Sequence, residues 1–196
     1  HFMRILAISQ RVDFIKDRLE YRDSLDQSIY KLFGECGFSL LPLPNVHNNN
    51  LSEKLNQLNI SGIILSGGND IGQYPGRDKL EIELIQYSLK NSLPLLGICR
   101  GMQMLAKYYG SELIKIDGHV NVKHKIIGEI NTEVNSFHNL ALSKIPDEFE
   151  LLAKSNDGVI EAIVCESKKM EGWMWHPERD HIFNPIFIKR IKTLFK

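Results

Sequence analysis

The chain has 196 residues, 43% of them hydrophobic, which is enough for one sizeable core and a single domain over residues 3–196, with His1-Phe2 ahead of Met3 reading as a cloning remnant. Its 24 basic and 24 acidic residues cancel, so no net field argues for a nucleic acid or an acidic membrane as partner. No apolar run approaches the ~20 residues of a membrane span, and no charged-then-apolar leader opens the chain.

Arg4 to Ser9 reads as a strand. Leu25, Ile29, Leu32, Phe33 and Cys36 then follow helical spacing, and Gly37 ends that helix. Ser39 to Leu43 is a second strand. A loop at Asn48-Asn49-Asn50 precedes a short helix marked by Leu51, Leu55 and Leu58, and Gly62 to Leu65 is a third strand. Asp78, with Glu81 three residues on, predicts a capping box opening a helix that runs to Lys90. Leu93 to Ile98 is the next strand, and Gly101 to Tyr109 the next helix. This rhythm implies an α/β fold, a doubly wound, mostly parallel sheet with helices on both faces. The second half adds a smaller antiparallel portion, with strands at Ile126–Val134, Phe149–Ser155 and Val159–Glu166, the last two joined by an Asn-Asp-Gly turn. His119 and His124 fall in a loop without an assignable partner and read as surface residues. Three cysteines form neither metal spacing nor an even disulfide set, which suits a reducing cytoplasm; Cys36 and Cys165 read as packing residues.

The third cysteine is different. Gly97-Ile98-Cys99-Arg100-Gly101 places it between small residues at a strand-to-helix corner, the arrangement that exposes the nucleophile of a G-x-S-x-G elbow. The strand should present the sulfur to solvent, and the helix N-terminus should favour its thiolate. Trp173-Met174-Trp175-His176-Pro177-Glu178 supplies a base and its orienter. His176 would exchange the proton, and Glu178 would hold the other ring nitrogen. Ile63-Ile64-Leu65-Ser66-Gly67-Gly68-Asn69-Asp70 is a buried strand running into a Gly-Gly turn. The N–H of Gly68, with that of Arg100, would form an oxyanion hole. Cys99, Gly68 and His176 each follow a strand, and ligands bind at the carboxyl ends of such strands.

Taken in order, S-G-G-N, G-I-C-R-G-M-Q and W-H-P-E resemble the class I glutamine amidotransferase superfamily. Val134-Asn135-Ser136-Phe137-His138 and Asp157-Gly158-Val159-Ile160-Glu161-Ala162 are similar to its γ-glutamyl hydrolase branch, peptidase family C26. The resemblance runs from about residue 3 to about residue 185 and implies a flavodoxin-like sheet and a Cys-His-Glu triad, with no metal and no organic cofactor. Ser9-Gln10-Arg11-Val12-Asp13 and Glu20-Tyr21-Arg22-Asp23 resemble a short bacterial subgroup associated with surface-polysaccharide gene neighbourhoods. That subgroup implies hydrolysis of γ-glutamyl-CDP-amidate to glutamate and cytidine diphosphoramidate in the cytoplasm.

A γ-glutamyl substrate carries an α-carboxylate and an α-ammonium, so its pocket needs cations or N–H donors and some acceptors. Arg11, Arg22, Gln103, Asn135, Ser136 and His138 are the candidates. By resemblance, Ser136 and His138 belong to the wall that reads glutamate; Arg11 and Arg22 would meet a pyrophosphate. Asn139-Leu140 departs from the family's frequent His-Gln pair. Two other readings stay open. One is a separate glutaminase passing ammonia to a synthetase partner, and the other a catalytically silent binding module. The partner in the leading reading is a small γ-glutamyl molecule, with no nucleic acid and no membrane. Oligomeric state is not legible in the sequence.

Overall fold

In the computed structural model, which describes residues 4–46 and 50–196, the apolar run Ile5–Ile8 lies in β1 (Arg4–Ile8). The loop read at 48–50 lies, apart from Asn50, outside the described residues, as does His1-Phe2. A polar hairpin follows, β2 (Arg11–Ile15) and β3 (Glu20–Ser24), paired antiparallel. Helix α1 (Gln27–Glu35) starts where the Asp26 carboxylate accepts from the Ser28 N–H, a standard side-chain N-cap. Gly37, at φ +87°, then turns the chain into β4 (Phe38–Pro42). After α2 (Leu51–Gln57) and β5 (Gly62–Leu65) comes α3 (Pro75–Asn91). This helix begins three residues ahead of the expected capping box. Tyr74 is its N-cap and Pro75 opens it, because proline tolerates the first helical turn. Asp78 and Glu81 are therefore interior, and both pair with Arg100.

Strand β6 (Leu95–Ile98) and helix α4 (Arg100–Tyr108) carry the cysteine corner. Beyond them lie β7 (Leu113–Lys115), β8 (Val120–Gly128), β9 (Thr132–Phe137), β10 (Leu140–Leu142), β11 (Glu150–Ser155), β12 (Ile160–Cys165), β13 (Met170–Trp173) and α5 (Pro185–Leu194). The single strand expected at Ile126–Val134 is instead the turn of the β8–β9 hairpin. His119 and His124 are not surface residues: His119 is buried at the entrance to β8, and His124 is half-buried within it.

Among the described residues, nine strands form one sheet in the order β4-β1-β5-β6-β13-β12-β11-β8-β9. The first five are mutually parallel and the remainder antiparallel. Numbered by sequence, the parallel strands run 2-1-3-4-5, the flavodoxin-like order. One face is covered by Ile29, Leu32 and Phe33 of α1 and Phe187 and Ile191 of α5. The opposite face packs Leu55 of α2, Leu80 and Leu84 of α3, and Met102 and Leu105 of α4. β1 pairs with β4 and β5, so β5 separates it from the elbow strand. No helix among the described residues is long and apolar enough to cross a membrane.

Candidate active site

The corner after β6 is tight enough to dictate its own composition. A Cβ on Gly101 would lie 2.0 Å from the Leu65 carbonyl oxygen, so α4 packs against β5 only if residue 101 has no side chain. Cys99 is held at φ 52°, ψ −109°, a sparsely populated conformation that persists only where surrounding structure enforces it. Its N–H donates to the Trp173 carbonyl at 2.7 Å, which ties the corner to β13. The sulfur-bearing residue is buried, 7% exposed, rather than presented to solvent. Gly67 and His176 cover it, and a Cβ on Gly67 would meet His176 Cε1 at 2.5 Å and Cys99 Cβ at 3.5 Å.

His176 follows β13 by three residues, and Pro177–Arg179 forms a single 3-10 turn behind it. That turn brings Glu178 back onto the ring, with Nδ1 2.7 Å from Glu178 Oε1. The imidazole also shares a hydrogen bond with the Cys99 thiol. Burial pulls the imidazolium down, but the hydrogen bonds with Cys99 and Glu178 outweigh it, and the His176 pKa is pushed up to about 9. The geometry places a sulfur, a cationic imidazole and a carboxylate in one line of hydrogen bonds.

Asn135 fixes the backbone under this ring. Its Nδ2 donates to the His176 carbonyl at 2.8 Å, and its Oδ1 accepts from the His176 N–H at 3.0 Å. Phe137, two residues along β9, sets its ring edge-on to the imidazole, centroids 6.0 Å apart. Strand alternation then sends Ser136 and His138 the other way. Ser136 donates to the His119 carbonyl and His138 faces Glu161, so these two residues, expected to line the glutamate wall, turn away from His176. Gln103, expected to face the pocket, is buried and donates to the Leu140 carbonyl at 3.3 Å.

The Gly-Gly turn after β5 is organised by a residue the motif reading passed over. Arg77 of α3 is 1% exposed. Its guanidinium donates to the Ser66 carbonyl at 2.8 Å, to the Gly67 carbonyl at 2.9 Å, and to the Gly68 carbonyl. With three successive carbonyls captured from behind, the peptide planes of the turn are locked. Burial pushes Arg77 down to about 10, and Glu81 beside it supports its charge. Glu81 also receives Ser9 Oγ at 2.8 Å and the Arg100 guanidinium, while Ser9 Oγ accepts from the Ser66 N–H at 2.9 Å. One buried carboxylate therefore ties the Gly-Gly turn to the first residue of α4. The only sequence signal for this was the i, i+4 spacing of Arg77 and Glu81.

A cleft of about 340 Å³ opens in front of these groups, lined by Ser66, Gly67, Gly68, His176, Glu178 and the arginines Arg11 and Arg179 among others. Arg11 lies against Gly68 and pairs with Asp13 at 2.8 Å. Asn69 docks the hairpin beside it through both backbone groups of Val12. Arg22, on the other strand, is exposed, pairs with Glu20 and does not line the cleft. A larger cavity of about 1000 Å³ lies around Arg4, Pro94 and Lys169, at the amino ends of the parallel strands, and contains none of these residues.

Comparison with known proteins agrees with this geometry. The sequence profile of glutamine amidotransferase class-I matches residues 18–184. The chain belongs to that family. It is an enzyme of the family's cysteine-dependent, amide-hydrolysing class. It is 34% identical over 191 residues to γ-glutamyl-CDP-amidate hydrolase of Campylobacter jejuni, covering 93% of this chain and 94% of the relative. It is 32% identical to the glutamine-hydrolysing component of GMP synthase from Methanococcus maripaludis, over 71% of this chain and 74% of the relative. A crystal structure from Thermoplasma acidophilum, described as a candidate GMP synthase component of the same kind, superposes with a TM-score of 0.77 at 21% identity, covering 100% of this chain and 95% of the other.

Proposed function

We propose that the enzyme hydrolyses a γ-glutamyl amide through a thioester on Cys99. The observation that carries this reading is the buried array of Cys99, His176 and Glu178 at the carboxyl ends of β6 and β13. In acylation the Cys99 sulfur attacks the γ-carbonyl carbon, and the carbonyl π electrons move to oxygen. The N–H of Gly68 and that of Arg100 receive the oxyanion. Arg100 is the first residue of α4, so its N–H is among the helix-start donors without an intrahelical acceptor. The C–N bond then breaks as His176 gives its proton to the leaving nitrogen. In deacylation His176 takes a proton from water, hydroxide adds to the thioester, and sulfur leaves as thiolate, releasing glutamate. Glu178 holds the imidazolium through Nδ1, and Asn135 is a positioning residue for the base.

The finer reading is a γ-glutamyl nucleotide, γ-glutamyl-CDP-amidate, with release of cytidine diphosphoramidate. The Campylobacter relative supports it, as does the cleft's cationic lining by Arg11 and Arg179. Guanidinium groups suit phosphate oxygens. The relatives that are separate components of GMP synthase favour a second reading, a glutaminase delivering ammonia to a synthetase. Measuring glutamate release from the γ-glutamyl nucleotide, from simple γ-glutamyl amines and from glutamine separates them. Rapid turnover of the nucleotide by the chain alone is expected; glutamine as the preferred substrate would overturn the finer reading.

A further inference from the structure

On the face of β9 opposite Phe137, three histidines converge on one carboxylate. His119 Nδ1 lies 3.2 Å from Glu161 Oε1, His124 Nε2 3.2 Å and His138 Nε2 3.4 Å. Glu161 is fully buried, and His119 and His138 are each 3% exposed. None of these three nitrogens, and neither Glu161 oxygen, makes a hydrogen bond of acceptable geometry.

The remaining ring nitrogens show which form the imidazoles take. His138 Nδ1 lies 3.0 Å from the Leu140 carbonyl, which can only accept, so the proton sits on Nδ1. His119 Nε2 lies 2.9 Å from Asp157 Oδ2, a carboxylate that likewise requires a donor. In the neutral rings, His119 Nδ1 and His138 Nε2 are then bare lone pairs aimed at a carboxylate oxygen. Lone pairs facing an anion in a buried site repel unless a cation stands among them. Protonated rings would place N–H groups on Oε1 as hydrogen bonds, and the angles provide none. A metal ion accepts all four ligand atoms at once.

The spacing fits. Zinc bonds of about 2.0–2.1 Å in tetrahedral geometry place neighbouring ligand atoms roughly 3.3 Å apart. Ring N–H groups directed at a carboxylate or a backbone carbonyl are also the usual outer support of metal-bound histidine. We propose that His119, His124, His138 and Glu161 bind one divalent zinc-class metal ion, with Asp157 and the Leu140 carbonyl orienting the rings. Three imidazoles and a carboxylate fill a tetrahedron, so the ion is structural. It ties β8, β9 and β12 together beneath the base, because the Glu161 carbonyl also accepts from the Met174 N–H at 2.8 Å, and Asn135 on β9 holds His176.

The test is metal uptake. Protein stripped with a chelator and titrated with Zn²⁺ against a chromogenic indicator is expected to take up about one equivalent and to melt at higher temperature once loaded. Co²⁺ in its place should give the intense visible bands of a tetrahedral site. Glu161→Gln and His124→Asn should each weaken zinc binding roughly 100-fold or more, with circular dichroism reporting the fold. His124 is the least buried ligand, so His124→Asn decides the matter if Glu161→Gln fails to fold. Folded wild type that takes up no zinc, an octahedral Co²⁺ spectrum, or uptake unchanged in the variants would overturn the proposal.

Discussion

Two buried ionic clusters sit on the two halves of the sheet, and they solve burial differently. On the parallel side, Arg77, Arg100, Glu81 and Asp78 bring two cations and two anions together. Nearly every donor there finds an acceptor, Arg100 Nε being the exception. On the antiparallel side, His119, His124, His138 and Glu161 bring acceptors together without donors. The first cluster is electrically complete and shapes a turn of backbone. The second is complete only with a cation, which is why the two should respond differently to mutation and to chelators.

The largest effects should come from the reacting line that both clusters flank. Cys99→Ala and His176→Ala should each lower kcat on the order of 10⁴-fold or more, and the double variant little further, because residues acting as a unit are not additive. Glutamate release checks this. Independent, multiplying losses would separate the two groups.

Next in size is the complete cluster. Glu81→Gln leaves two buried guanidinium groups without their shared anion, and breaking such a pair costs about 3–5 kcal/mol. Urea unfolding should show that loss, and adding or removing zinc should not alter it. Chelator treatment, by contrast, should destabilise wild type while leaving the Glu81 network intact. If chelation and Glu81→Gln gave indistinguishable responses to zinc, the contrast between the clusters would fail.

Glu178→Gln should cost about 10²-fold in kcat/KM and change the pH profile. The His176 pKa is raised to about 9 by its hydrogen bonds with Cys99 and Glu178 against the opposing effect of burial. The imidazolium therefore supplies its proton below that value, and wild-type kcat/KM should fall as pH rises through about 9. The same shift makes the charged ring stabilise the fold, fully below about 6.5 and lost as pH passes about 9. In Glu178→Gln both transitions should move to lower pH. An unmoved alkaline limb would take Glu178 out of the orienting role.

The smallest effect concerns the leaving group. Arg11→Ala should lower kcat/KM for a γ-glutamyl nucleotide about tenfold more than for a small γ-glutamyl amine. Arg22→Ala, removing an exposed side chain paired only with Glu20, should stay within about twofold on both. Equal losses for the two variants would mean the hairpin acts as a whole.

Legibility followed the range of the forces involved. Strands β5 and β6 were readable because each is a short, fully buried apolar run bounded by glycine or proline. The elbow was readable because its crowding acts on immediate neighbours, and Gly97 and Gly101 record it. The β2–β3 hairpin was not, since its side chains are mostly exposed and no apolar stripe marks a face. The start of α3 was misplaced because Asp78 and Glu81 imitate a cap while their partner, Arg100, lies some twenty residues on. His119 and His124 looked solitary for the same reason, their carboxylate being Glu161 on another strand. Ser136 and His138 were assigned the wrong face because a one-residue choice of register reverses every side chain. Phe137 stands between them in the chain and is the residue that meets His176.

The chain carries its own internal control for the central claim. Three cysteines are present and all are buried, yet only Cys99 is hydrogen-bonded to an imidazole held by a carboxylate. Burial pushes the Cys36 thiol up to about 11, and Cys165 touches only Ser167 among the described hydrogen bonds. The decisive measurement is mass-spectrometric mapping after exposure to a glutamine analogue bearing an electrophile at the γ-carbonyl. A single γ-glutamyl-type adduct on the peptide containing Cys99, formed in step with loss of activity and absent in Cys99→Ala, is the predicted result. Inactivation with the adduct on Cys36 or Cys165, or substantial glutamate release by Cys99→Ala, would contradict the account.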